Sequence, residues 1–185
     1  MRIHITGAAG SGTSTLGKAL AAQLGARFQE GDDLFWLPSD PPYQTTRPVE
    51  ERRALLLAQL QRSPQLVVSG SVNAWGAEVE DGFDGIIFLY VDTALRLARL
   101  RERELRLYGK ADPAFLEWAA QYDAGPPEGR SLARQRAWVA ARQCPVLCLE
   151  GDLSTQQRLE QAGQWMEGIV CRENGHDGAT RAGGD

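Results

Sequence analysis

Residues 7–15 read GAAGSGTST, directly after the short apolar run RIHIT at 2–6. Gly7, Gly10 and Gly12 allow left-handed backbone angles and let the main chain approach an anion closely. With Ala8, Ala9, Ser11 and Thr13 between and after them, the segment can form a nest of inward-pointing amides. A helix beginning near Ser14 adds its positive end to that nest. Ser14 stands where a hydroxyl would bind a divalent cation, and Thr15 follows it. The chemistry expected is capture of a nucleotide's phosphates together with magnesium. A purely structural strand-to-helix turn would also use glycines. A dinucleotide loop fits less well, because GAAGSG lacks G-x-G-x-x-G spacing and two hydroxyls suit magnesium.

Two further groups of residues could act on what the loop holds. EGDDLFW at 30–36 sets Asp32 and Asp33 beside Phe35 and Trp36, polar anchors next to aromatic walls. Aspartates in such places also serve plainly as turn or cap residues. Arg47, Arg52 and Arg53 follow, and Trp75 reads equally as a pocket wall or as core. Residues 92–110, DTALRLARLRERELRLYGK, carry Arg96, Arg99, Arg103, Arg106 and Lys110 at alternating spacings of three and four. On a helix they fall in one stripe about 90° wide. Such a stripe is ordinarily a solvated face. Five like charges are relieved only in part by Glu102, and an anion would relieve the rest. Arg130, Arg134 and Arg136 form a second basic group after AGPPEG. Lys18 reads as a surface residue and His4 as a packed core histidine, and His176 is given no role.

The elements that must position these groups follow from pattern. Strands are expected at 2–6, 27–29, 66–70, 85–91 and 145–151. LVVSG and GIIFLYV are continuous apolar runs, as in central strands covered on both faces. Helices are expected at 14–24 (closed by Gly25), 49–62, about 93–108, 112–122 and 130–142, and at 154–170. LPSDPPYQTTRP is a proline-rich loop. Alternating strands and helices mean a doubly wound α/β fold, a five-stranded parallel sheet with helices on both faces. We expect one domain over 1–171, with a helical lid at about 104–136. The polar, glycine-rich tail 172–185 is expected to be disordered.

Composition narrows the function classes. The 185 residues carry a net charge of −4, which argues against non-specific nucleic-acid binding. No apolar run is long enough to span a membrane and the N-terminus has no secretory pattern, so no membrane partner is expected. Cys144, Cys148 and Cys171 make no disulfide framework, which points to a reducing cytoplasm. Eighteen of the 20 basic residues are arginines, whose planar fork suits phosphate oxygens.

Over residues 1–170 the chain resembles the P-loop kinases of small molecules, the nucleoside monophosphate kinase and shikimate kinase group, including adenylate- and cytidylate-kinase-like members. Gly7, Gly12 and Ser14 match G-x-x-x-x-G-K-[ST], and Thr13 stands in place of the lysine. The resemblance implies ATP and Mg2+ as cofactors, bound by residues 7–15 with Ser14 on the metal. It implies an ATP-dependent phosphotransferase acting on a small metabolite, such as a nucleoside or nucleotide. It implies that Asp32 or Asp33 orients and activates the acceptor hydroxyl, and that an arginine such as Arg47 holds the acceptor's own anionic group. Arg99 and Arg103 match the R-x-x-x-R that follows the fourth strand, one packing near the base and one entering the lid over the phosphates. Ser69-Gly70-Ser71 stands where relatives carry a magnesium-organising Asp-Gly. Loss of that aspartate and of the lysine motivates the alternative, a nucleotide-binding regulator with little or no turnover. Neither the acceptor nor the oligomeric state follows from the sequence.

Overall fold

The structure is a computed structural model that describes residues 1–40, 42–125 and 129–179. Five strands, β1 (Arg2–Gly7), β2 (Arg27–Glu30), β3 (Leu66–Ser69), β4 (Gly85–Tyr90) and β5 (Val146–Glu150), form one sheet in the order β2-β3-β1-β4-β5. Every pairing is parallel. The expected fold class therefore holds. β3, β1 and β4 are buried almost throughout, since helices cover both faces. β5 lies at the edge, and its Cys148 is exposed.

The helices are α1 (Thr13–Leu24), α2 (Gly31–Phe35), α3 (Val49–Arg62), α4 (Ala77–Glu80), α5 (Thr93–Tyr108), α6 (Pro113–Ala120), α7 (Leu132–Ala140) and α8 (Thr155–Ala179). Two of these, α2 and α4, are single-turn elements absent from the sequence expectation, too short for periodicity to register. The helix expected over 154–170 runs on to Ala179, so part of the tail read as disordered is helical backbone. No proline lies between 171 and 179 to stop it. Residues 180–185 of that tail, and 126–128 of the expected lid, lie outside the described residues.

Strand pleating sorts the side chains. Ile3, Ile5, Val67, Ile87, Leu89 and Leu149 pack with Leu16 and Leu20 of α1 and Met166 of α8. Leu66, Val68, Ile86 and Phe88 point to the other face, against α3, α4 and α7. His4 shares this second face. It stacks on Phe83 at 4.9 Å, meets Trp138 edge-on at 5.6 Å, and its Nε2 lies 3.1 Å from the Gly70 carbonyl oxygen. Register brings the functional ends together: Ile5 of β1 and Glu30 of β2 both lie opposite Ser69 of β3. The glycine loop thus leaves β1 beside the ends of β2 and β3, at the carboxyl edge where parallel α/β sheets bind ligands.

Candidate active site at the carboxyl edge of the sheet

The loop between β1 and α1 is shaped by close approach. Gly10 has φ 82° and Gly12 φ 95°, both in the left-handed region. A Cβ on Gly10 would fall 2.7 Å from the Arg96 carbonyl oxygen of α5, which only glycine permits. Three arginines from three distant segments hold the loop carbonyls. Arg130 Nη2 donates to Gly7 O at 2.8 Å, Arg96 Nη1 to Ala9 O at 3.3 Å, and Arg158 Nη1 to Ser11 O at 2.7 Å. In a trans peptide the N–H points opposite to the carbonyl. The amides of Ala8, Gly10 and Gly12 therefore turn away from the arginines. The helix α1 starts at Thr13, so its positive end faces the same space.

Carboxylates stand beside the loop. Glu30, half-buried at the end of β2, accepts a hydrogen bond from the Ser69 hydroxyl at 2.7 Å, and the nearby Ser14 hydroxyl favours its ionised form as well. Burial pushes the Glu30 carboxyl up, the two hydroxyls draw it partly back, and Asp32 and Asp33 add repulsion. Asp32 and Asp33 follow on α2, both reaching solvent. Desolvation by the surrounding walls raises Asp32. Arg130 and Arg103 oppose that shift and Asp33 reinforces it, so Asp32 lies in the field of both arginines. The donors fit the groups the resemblance implies. Positive-φ glycines free of Cβ atoms suit a phosphate, and the Ser14 hydroxyl beside the Glu30 carboxylate offers the oxygen ligands Mg2+ prefers.

A family model described as an AAA domain matches residues 3–112, more than half of the chain. The chain belongs to this P-loop family. A protein of Bacillus subtilis (strain 168) named Uncharacterized protein YqaC is 38% identical over 169 residues, covering 86% of this chain and 93% of that one. The fold is similar to that of shikimate kinase from Bacteroides thetaiotaomicron, with TM-score 0.58, 18% identity, and 90% and 98% of the two chains covered. It is similar also to a gluconokinase from Sinorhizobium meliloti 1021, with TM-score 0.55, 19% identity, and 92% and 96% covered. At such identities the likeness establishes the P-loop kinase fold.

Within this P-loop fold the expected residues separate. The arginine stripe does not act as one surface. Arg96 is fully buried and spends its donors on Val91 O, Ala9 O, Ala119 O and Thr93 Oγ1, with Asp123 at 3.5 Å. Arg99 binds Asp152 at 2.6 Å, in the turn before α8. Arg103 lies 3.4 Å from Glu104 and over the Phe115 ring. It is the member of the stripe that acts on Asp32. The second basic group also divides. Arg130 reaches the loop, Arg134 donates to Gly129 O, and Arg136 pairs with Glu150 at 3.2 Å.

On the acceptor side, Arg47 donates to Leu34 O at 3.0 Å and pins the proline-rich loop to α2. Trp75 is corrected: at 1% exposure it packs with Leu34, Val72 and Phe83 in the core, so it walls no open cleft. Arg52 lies between the rings, 4.4 Å from Phe35 and 5.3 Å from Trp75. Lys18 is exposed, as expected. Two residues escaped the sequence reading. Glu30 carries a weak signal, an acid closing a strand immediately before the aspartate pair. Arg158 carries none, being 147 residues from the carbonyl it binds.

A polar chain ties this edge to the helices above it. The Tyr122 phenol, pushed up to about 12 chiefly by burial, stays protonated and donates to Gln135 Oε1 at 2.5 Å. Gln135 Nε2 donates in turn to Thr6 Oγ1 at 2.5 Å, one residue before the loop.

Proposed function

We propose that the protein is a phosphotransferase that moves the terminal phosphoryl group of ATP onto a hydroxyl of a small metabolite, with nucleosides and nucleotides as the first candidates. The observation that carries this reading is Asp32, a solvent-exposed carboxylate on α2 in the field of Arg103 and of Arg130, the arginine that holds Gly7 O of the glycine loop. A base is most effective when its pKa approaches the working pH, and partial desolvation by the surrounding chain moves the exposed Asp32 in that direction. The loop amides and the start of α1 hold phosphate oxygens, and Ser14 with Glu30 holds Mg2+. Magnesium-ATP, when bound, supplies the phosphoryl group and part of its charge neutralisation. Asp32, with Asp33 beside it, orients the acceptor hydroxyl and takes its proton. Arg103 faces the charge that spreads over the transferred group, and Arg99 lies towards the base. Unpaired Cys144 and Cys148 fit action in the cytoplasm. Among the described residues no helix is long and apolar enough to cross a membrane.

The second reading, a nucleotide-binding regulator with little turnover, rests on Thr13 and Ser69, where the resemblance leads one to expect lysine and aspartate. Glu30 weighs against it, because a carboxylate stands near enough to Ser14 to feel its hydroxyl. The deciding experiment measures ADP formation with panels of nucleosides, nucleotides and hydroxy acids. We expect acceptor-dependent turnover that falls about a hundredfold or more in Asp32→Asn, with ATP affinity changed only a few-fold. ATP binding without acceptor-dependent turnover across the panel would favour the regulator.

A further inference from the structure

The three arginines on the loop carbonyls differ in how far their charge is already answered. Arg96 has carbonyls, a hydroxyl and Asp123 around it. Arg130 lies in the field of the Asp32 carboxylate. Arg158 is different. It is 4% exposed, one nitrogen is on Ser11 O, and its Nε and Nη2 have no hydrogen-bond partner among the described residues. The acid in electrostatic reach, Asp152, is bonded to Arg99, which itself repels Arg158. A buried guanidinium with two idle donors, and with no acid bonded to it among the described residues, is unfavourable for the fold. Packing alone would be served better by an apolar side chain of the same volume.

Position gives it a use. Ser11 O and Gly12 N–H belong to one peptide group. A cation on the oxygen withdraws electron density from the N–H and strengthens it as a donor, since linked hydrogen bonds polarise one another. A Cβ on Gly12 would lie 2.8 Å from Arg158 Nη1, so the charge sits against the residue that precedes Thr13. We propose that Arg158 is the loop's cation, a positioning residue that binds the triphosphate through the Ser11–Gly12 peptide and takes over the charge that Thr13 cannot supply. The ligand assignment rests on the phosphotransferase reading above.

The test compares wild type, Arg158→Met, Arg158→Lys and the double change Arg158→Met with Thr13→Lys. Calorimetry measures binding of ATP and of inorganic tripolyphosphate, and thermal melts measure the free protein. Arg158→Met should melt within a few degrees of wild type, because removing an unanswered buried charge offsets the hydrogen bond lost by Ser11 O. Its ATP affinity should nevertheless fall about 30-fold, as befits a lost charge-assisted contact. Arg158→Lys should stay within a few-fold of wild type, and Thr13→Lys should recover most of the loss in the double variant. A folded Arg158→Met that binds ATP as wild type does overturns the inference and leaves the phosphotransferase reading standing. Wild type that binds neither ligand overturns both. If Arg158→Met fails to fold, nitrogen NMR of the arginines in wild type decides. Tripolyphosphate should shift the Arg158 Nε–H resonance, and an unmoved resonance overturns the inference.

Discussion

Glu30 and Asp32 lie two positions apart, and both carboxyls are raised first by burial. A group whose folded pKa exceeds its unfolded value stabilises the fold below the unfolded pKa and loses that contribution as pH rises through the folded one. The ionised forms of both residues are therefore disfavoured by the folded state. Glu30→Gln and Asp32→Asn should each melt at or above the wild-type temperature at pH 7, with the advantage shrinking towards pH 4, where carboxylates of about that pKa protonate in the unfolded chain. Scanning calorimetry across pH checks this, and a lower melt at pH 7 in both variants would refute it. Glu30→Gln should also raise the magnesium concentration needed for half-maximal turnover. Gly10 gives the steric counterpart. Alanine there meets a backbone oxygen at 2.7 Å with φ 82°. Gly10→Ala should cost about 1–3 kcal/mol in strain and abolish ATP binding in calorimetry.

The element that matters most is α5. It is started by Asp92, whose carboxylate accepts from Ala94 N at 2.8 Å, and its first turn carries Arg96 into the protein. Arg96 joins the glycine loop, the end of β4 and the end of α6 in one set of hydrogen bonds. Arg96→Met takes the buried guanidinium from Val91 O, Ala9 O and Ala119 O, while Asp123 keeps Thr93 and Tyr90 as donors. Breaking a buried charge network of this kind costs about 3–5 kcal/mol, which urea denaturation should register. The outer turns of the same helix behave differently. Arg103→Ala should slow single-turnover phosphoryl transfer by about 10³-fold, the scale of a transition-state arginine, with little change in ATP affinity. Arg106→Ala, one turn further out, should slow it far less. Equal rates for Arg103→Ala and wild type would make the outer stripe a solvated face.

For the molecule as a whole, a buried histidine inside the sheet adds a pH dependence of opposite sign to that of the two carboxyls. His4 is buried among Phe83 and Trp138, and desolvation pushes its pKa down to about 4, with the Arg130 charge adding to the effect and the Gly70 carbonyl opposing it. As pH falls below about 6.5 the unfolded chain takes up a proton that the folded chain refuses, so stability falls between about 6.5 and 4. The loss reaches about 3 kcal/mol at the lower end. Urea midpoints measured at intervals across that window should fall with pH, and His4→Gln should remove this part of the slope. A His4→Gln variant whose midpoint follows pH as wild type does from pH 6.5 to 5 would contradict it.

Much of this protein was legible locally. Glycine spacing reports a nest, apolar runs report central strands, and Asp92 and Gly25 mark helix ends, because each depends on neighbours a few residues away. The loop, the five strands, six of the helices and the P-loop kinase fold follow from such signals. The arrangement of charge does not. Hydrophobic period tells which face of a helix is buried, but it does not tell which polar side chain is drawn in with it. Arg96 and Arg103 look alike in sequence, yet Arg96 is buried because α5 packs onto Gly10 and carries its first turn inside. Trp75 became core rather than cleft by the packing of α3 and α4 around it. Glu30 acquired Ser69 through strand register, and Arg130 and Arg158 met the loop across separations of 123 and 147 residues. Contacts of that range exist only once the sheet has ordered its strands, and so the tertiary structure alone decided which arginines hold the glycine loop.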